Sequence, residues 1–367
     1  MDFSRRKFLK QISLSVALGA LARYGCMPAL AAPHSGLADL AQENGREFGV
    51  AVANDLIQND RRYIQALKRD CSILVAENAM KWRNLNPSED VYNFDGADKI
   101  IDFAEHNDLK MRYHTFIWHK SNPQWVQDAV TDKRSCKILL SNYSDRVFNH
   151  FQGRIHSWDI VNEPILIKDL QPNGMRSNLW YKAMGEEYID FAFNLAKEND
   201  LSGDLVLNEY GLETGNISSI LKRQAFLNLV RRLKDRDVPV DAIGLQSHLI
   251  GHMDLAPKDE YQNWLEDLID TGVKIHVTEL DMNDSKIQGD APTRAIKGAA
   301  YIEEYLQRID EVVGLKEVLM WGIWDGRSFI NDLSSSGEPP AQPLLYARNW
   351  DKNPVWDSVE TFLSTPP

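Results

Sequence analysis

The sequence predicts an α/β chain folded as one (β/α)8 (TIM) barrel, and three observations predict it. Short apolar runs alternate with amphipathic stretches about eight times between residues 40 and 363, the rhythm of strand–helix units that build a parallel sheet. Runs such as Ile73–Ala76 and Ala242–Leu245 are unbroken rather than alternating, so their strands are buried on both faces, as under a layer of helices. Nearly every run also ends in a polar cluster. In a barrel those ends open on one face, where such folds place their active sites, whereas random placement would scatter them over both ends. A doubly wound open sheet is the alternative, but no Gly-rich turn follows the first run in Val50-Ala51-Val52-Ala53-Asn54-Asp55. No Ser/Gly/Pro-rich linker divides the chain, so a single domain is expected.

Residues 1–31 stand apart from this pattern. MDFSRRKFLK is a charged opening, an apolar stretch follows, and Ala29-Leu30-Ala31 is a small-residue cleavage site. Ser4-Arg5-Arg6-Lys7-Phe8-Leu9-Lys10 resembles a twin-arginine export signal, which moves folded proteins across the bacterial inner membrane. Arg23 interrupts the apolar run, which falls short of the roughly 20 residues of a membrane span. Arg23-Tyr24-Gly25 ahead of Cys26 does not form a lipobox. Export by this route, to the periplasm or beyond, is therefore expected, with residues 32–367 as the folded domain.

The whole chain carries a net charge of −12; its first 31 residues hold five basic side chains against one acidic, which leaves the remainder near −16. An acidic protein without a basic run is ill suited to nucleic acid or to an anionic membrane and suits an uncharged substrate. Only Cys71 and Cys136 lie beyond the leader, and folding in a reducing compartment leaves both as free thiols. A monomer is expected.

The predicted strands are Phe48–Val52, Ile73–Ala76, Met111–Ile117, Ile155–Val161, Leu205–Leu207, Ala242–Leu245, Lys274–Thr278 and Val318–Ile323. A helix between the fifth and sixth places Ile217, Ile220, Leu221, Leu227, Val230 and Leu233 on one apolar face. The second strand ends in Glu77-Asn78, with Lys81 and Trp82 following. The third leads to His114, Trp118 and His119, the fifth to Asn208-Glu209-Tyr210, the sixth to Gln246-Ser247-His248 and the eighth to Trp321.

The fourth and seventh carry the chemistry. Pro164 cannot donate to a sheet ladder, so the fourth strand stops with Glu163 at its tip. Beside Trp158, in an apolar wall, Glu163 would hold a raised pKa and act as a general acid. The seventh ends in Glu279-Leu280-Asp281. Side chains alternate with period two, so Gln246 and His248 point one way, as do Glu279 and Asp281. With the sixth and seventh strands adjacent, His248 sits against Glu279 with Asp281 nearby and keeps the carboxylate ionised, as a nucleophile requires. Two such glutamates are the equipment for hydrolysing a glycosidic bond. Trp118 and Trp321 read either as sugar platforms or as packing residues. Glu77 and Lys81 read either as a local ion pair or as sugar contacts. His114 and His119, five apart on an extended segment, face opposite ways and do not make a zinc pair. Two carboxylates and water suffice, so no cofactor or metal is expected.

These clusters resemble glycoside hydrolase family 10, the endo-1,4-β-xylanases, over roughly residues 47–360. The resemblance rests on Trp158-Asp159-Ile160-Val161-Asn162-Glu163-Pro164, Thr278-Glu279-Leu280-Asp281 and Glu77-Asn78-Ala79-Met80-Lys81-Trp82. Tyr113-His114-Thr115 with Trp118-His119, and Gly244-Leu245-Gln246-Ser247-His248, add to it. It implies Glu163 as acid/base, Glu279 as nucleophile and Asn162 as the partner of the sugar 2-hydroxyl, with His248 and Asp281 supporting the nucleophile. Glu77, Asn78 and Lys81 would grip the glycone side. His114, Trp118 and His119 would line the sugar before the cleaved bond, and Tyr210, Gln246 and Trp321 the sugars flanking it. A retaining double displacement on xylan or xylo-oligosaccharides follows, with carboxyl groups about 5–5.5 Å apart. The chain departs from the family pattern at Trp118-His119-Lys120-Ser121 (usually Trp-His-Ser-Gln) and at Asn208-Glu209-Tyr210-Gly211 (usually Asn-Asp-Tyr-Asn). It departs again at Phe329, usually Trp, with Trp324 added. Another β-1,4-glycan as substrate, or a non-catalytic carbohydrate-binding protein on the same scaffold, are the competing readings.

Overall fold

The computed structural model describes residues 36–199, 201–334 and 337–367, and the leader expected in residues 1–31 lies outside them. Among the described residues eight strands form the barrel: β1 (Glu47–Val52), β2 (Ile73–Ala76), β3 (Lys110–Ile117), β4 (Ser157–Asn162), β5 (Asp204–Glu209), β6 (Ala242–Leu245), β7 (Lys274–Asn283) and β8 (Glu317–Met320). Each pairs in parallel with the next, and β8 returns to β1 through Glu47↔Glu317 to Val50↔Met320. The predicted barrel is thus closed. Helices fill the connections, and the long ones start at side-chain caps. Asp132 makes a capping box with Ser135 ahead of Lys133–Phe151, and Asn216 accepts from the Ser219 N–H ahead of Ile217–Asp235.

Outward side chains of the strands, among them Phe48, Val50, Leu74, Tyr113 and Ile160, are buried in one apolar cluster with the helices. The barrel interior is different. On the β1, β2 and β8 side it holds a small apolar group, Ala51, Ile73, Val75, Leu319 and Trp321. Near the N-terminal ends of β3, β4, β7 and β8 it is ionic. Arg112 is fully buried, donates to Asp159, to Ser157 Oγ at 3.1 Å and to Glu317 Oε1 at 3.2 Å. Glu317 also lies 3.0 Å from His276 Nδ1 and 3.3 Å from His156 Nε2. Buried charges persist only when paired, and here every member has an opposite neighbour.

This network makes stability pH-dependent. Burial works against the His276 imidazolium, but Glu317 and Asp204 outweigh it and raise its pKa to about 9. The unfolded chain releases that proton near 6.5. The stabilisation is therefore complete below pH 6.5 and disappears as pH rises through 9, an effect of up to about 3 kcal/mol. Chemical denaturation at pH 6 and pH 9.5 is expected to show this loss, and His276→Gln to flatten it.

Several strand ends depart from the sequence reading, β5 among them, which runs to Glu209 rather than Leu207. β4 starts two residues after Ile155, and β8 stops at Met320 rather than Ile323 because Gly322 (φ 127°) turns the chain away. β7 runs five residues past Thr278 because its far end finds its own partner, the short strand His248–Ile250, paired through His248↔Asp281. Glu279 consequently lies within a strand rather than at a tip. The helix Ile217–Asp235 forms, with Leu227, Val230 and Leu233 buried as expected, but Ile217 and Leu221 are 69% and 41% exposed. Its inward positions near the barrel mouth are instead Ser219, Lys222 and Arg223, which serve polar groups there; Arg223 donates to the carbonyls of Leu212 and Thr214. Cys71 and Cys136 are free and buried.

Candidate active site

Glu163 follows the last residue of β4 in the left-handed region, φ 57°. A side chain there costs on the order of 1 kcal/mol and persists only where the surroundings fix it. Its N–H donates to Asn208 O at 2.8 Å, and its carbonyl accepts from Arg176 Nε at 2.7 Å. Glu163 is buried, and its carboxylate has Gln246 Nε2 at 3.4 Å and Asn162 Nδ2, Arg176 Nη2 and His119 Nδ1 each at 3.5 Å. Burial, then Arg176, Lys120 and Lys222, push His119 down to about 3, so it faces Glu163 as a neutral ring.

The apolar wall expected from Trp158 is absent. Trp158 points outward, against Tyr113 and Phe148, and donates to Ser202 O. The strand's alternation puts Asp159 inside and Trp158 outside, and the irregularity between Asp159 and Val161 then brings Asn162 inward. The immediate neighbours of Glu163 are polar.

Glu279 is 4% exposed. Asn208 Nδ2 donates to its Oε1 at 2.7 Å, His248 Nε2 lies 3.3 Å from Oε2, and His114 Nδ1 lies 4.0 Å from Oε1. Burial alone would raise its pKa, but His114, His248 and Lys81 outweigh it and hold it at about 2. His248 in turn bonds Asp281 through Nδ1 at 2.9 Å. Burial disfavours its imidazolium, yet Asp281 and Glu279 keep it protonated well above the usual range. This is the expected trio, reached differently: Ser247 has φ 62°, which ends simple alternation after β6, and the rim strand aims His248 instead.

Asn208 joins the two glutamates. Its Oδ1 accepts from Thr278 Oγ1 at 2.8 Å, which orients the amide so that Nδ2 reaches both Glu279 and Asn162 Oδ1, the latter at 2.9 Å. Asn162 Oδ1 also accepts from Gln246 Nε2 at 3.0 Å. Gly244 leaves the room for this: a Cβ there would meet Asn208 Oδ1 at 2.1 Å.

On the other flank Asn78 Nδ2 donates to Glu77 Oε1 at 3.1 Å and Lys81 Nζ to Asn78 Oδ1 at 3.2 Å. The Lys81 ammonium lies over the rings of Trp118 (5.0 Å) and Trp321 (5.8 Å). Trp321 meets His114 edge-on at 5.2 Å, and His114 Nδ1 is fixed by Asp159 at 3.0 Å. A cavity of about 310 Å³ opens beside Glu77 and Asn78, between Asp55 and Arg327. Tyr210 stands on the Glu163 side, its hydroxyl accepting from Arg176 Nη2 at 3.2 Å. All fourteen predicted site residues therefore collect around the strand ends. Their arrangement suits binding a neutral polyol chain across two carboxylates, one of them held ionised.

The model of glycosyl hydrolase family 10 matches residues 36–361. The chain belongs to this family. Endo-1,4-beta-xylanase 1 of Humicola insolens is 31% identical over 340 residues, 91% of this chain and 76% of the relative. The crystal structure of native xylanase 10B from Thermotoga maritima superposes with a TM-score of 0.79 at 30% identity, covering 89% of this chain and 98% of that one. Xylanase 10B from Thermotoga petrophila RKU-1, solved in complex with xylobiose, gives 0.78 at 29% identity, over 89% and 97%.

The departures from the family pattern fall around, not on, the two glutamates. Phe329 sets its ring 5.7 Å from His248, and Lys120 lies over Trp118 at 5.4 Å. Trp324 stacks on Trp350 at 4.8 Å and donates to Arg348 O. Two residues escaped the sequence reading. Asn208 was visible at the end of the fifth run, where Tyr210 drew the functional assignment instead. Arg176 lies in an irregular segment with no strand or motif to mark it.

Proposed function

We propose that this family 10 chain is a retaining endo-1,4-β-xylanase, with Glu279 as nucleophile and Glu163 as general acid/base. The observation that carries the reading is the setting of Glu279, which accepts from Asn208 and is held ionised by His114, His248 and Lys81, with Asn208 also bonding Asn162 beside Glu163. In the first step Glu279 attacks the anomeric carbon as Glu163 protonates the leaving oxygen; in the second, Glu163 takes a proton from water, which releases the sugar with net retention. Asn162 Oδ1 accepts from Asn208 and Gln246, and such a fixed amide beside Glu163 supports its assignment as the partner of the sugar 2-hydroxyl. The named activities of the relatives and the xylobiose held by the Thermotoga petrophila enzyme support xylan as the substrate. Beechwood xylan is expected to give short oligosaccharides, and carboxymethylcellulose little or nothing under the same conditions; the reverse would keep the barrel and discard the xylan. The twin-arginine-type leader supports export before action, and labelled cell fractions test that.

A further inference from the structure

Resting on the reading of Glu163 as acid/base, we propose that Arg176 is the positioning residue that holds Glu163 for proton transfer, braced by Tyr210, Glu209 and Lys222. Arg176 is 6% exposed and grips the glutamate at two points. Its Nε donates to the Glu163 carbonyl at 2.7 Å, and its Nη2 lies 3.5 Å from Glu163 Oε2. Its own N–H donates to Pro164 O at 2.7 Å. Arg176 thus touches both the left-handed backbone of Glu163 and its carboxyl group. A planar guanidinium suits this, because its fixed fork serves several acceptors at once.

Glu209 stands where the family pattern has Asp. It is fully buried and accepts from the N–H groups of Ile165 (2.9 Å) and Tyr210 (3.0 Å), so it ties the residue after Pro164 to the start of the next loop. Lys222 lies 2.7 Å from Glu209 Oε1, and its ammonium sits 3.4 Å from the centre of the Tyr210 ring. Tyr210 then presents its hydroxyl to Arg176. Glu163 becomes a carboxylate when it has given its proton to the leaving oxygen, and Arg176 is the cation that faces it at that moment.

A residue that acts through the acid matters most when the leaving group needs a proton. The test is kcat/KM, which reports the first chemical step, on aryl β-xylobiosides from phenyl to dinitrophenyl, for the wild type, Arg176→Met, Arg176→Lys and Glu163→Ala. Arg176→Met is expected to lose about 10–100-fold with phenyl, a fraction of what a general acid supplies, and little with dinitrophenyl. Arg176→Lys should recover part of the loss. An equal loss across the series, or none, overturns the proposal. If Arg176→Met does not fold, Arg176→Lys and Glu209→Asp are compared on the same series by the same criterion. A Glu163→Ala enzyme indifferent to the leaving group sinks the acid/base reading itself. A sensitive Glu163→Ala beside an insensitive Arg176 variant sinks only the inference.

Discussion

Glu279→Gln is expected to lower xylan turnover by at least about 10⁴-fold, the scale on which loss of a covalent nucleophile is felt. Glutamine keeps the shape and can still accept from Asn208, but it carries no charge and cannot attack. It also places an amide donor toward His248 Nε2, now 3.3 Å from Glu279 Oε2. His248 is left with Asp281 as its one carboxylate partner, so its imidazolium should lose its proton at lower pH than in the wild type. Initial rates on xylan together with NMR titration of His248 check both halves. Turnover within tenfold of wild type would remove Glu279 from the chemistry.

Glu163→Ala should cost about 10²–10⁴-fold on xylan, where the leaving sugar oxygen needs a proton, and far less on an activated aryl glycoside. With such a substrate the glycosyl-enzyme forms but water lacks its base, so the intermediate accumulates. A small anionic nucleophile needs no base. Added azide is expected to restore turnover and to yield a β-glycosyl azide. Measuring azide rescue and identifying the product decides the matter: an α-azide, or no rescue, is inconsistent with Glu163 in this role.

How far the chain could be read before its fold was seen follows from what fixed each feature. β2 and β6 end where expected because their aliphatic runs are bounded by polar residues and need no further partner. β7 could not be bounded that way: its last residues are strand only because His248–Ile250 lies beside them. Glu163, Glu279, Gln246 and His248 were legible as polar residues closing apolar runs. Trp158 was misplaced because sequence proximity to Glu163 says nothing of which face a strand residue takes; the alternation sends it into the helix layer. Ile217 and Leu221 looked like core because periodicity cannot tell a helix end packed on aliphatic residues from one packed on the polar rim of a site. Asn208 and Arg176 stayed hidden because their roles exist only through neighbours more than ten residues away in sequence.

The most direct test of the central claim is proton NMR of the anomeric centre during the first minutes of xylo-oligosaccharide cleavage, before mutarotation mixes the products. Double displacement by Glu279 and Glu163 predicts β-configured reducing ends first, with α appearing later as sugars equilibrate. Initial α-products would mean single displacement, with the two carboxyl groups standing farther apart than the about 5–5.5 Å that retention requires, and the roles assigned here would fall.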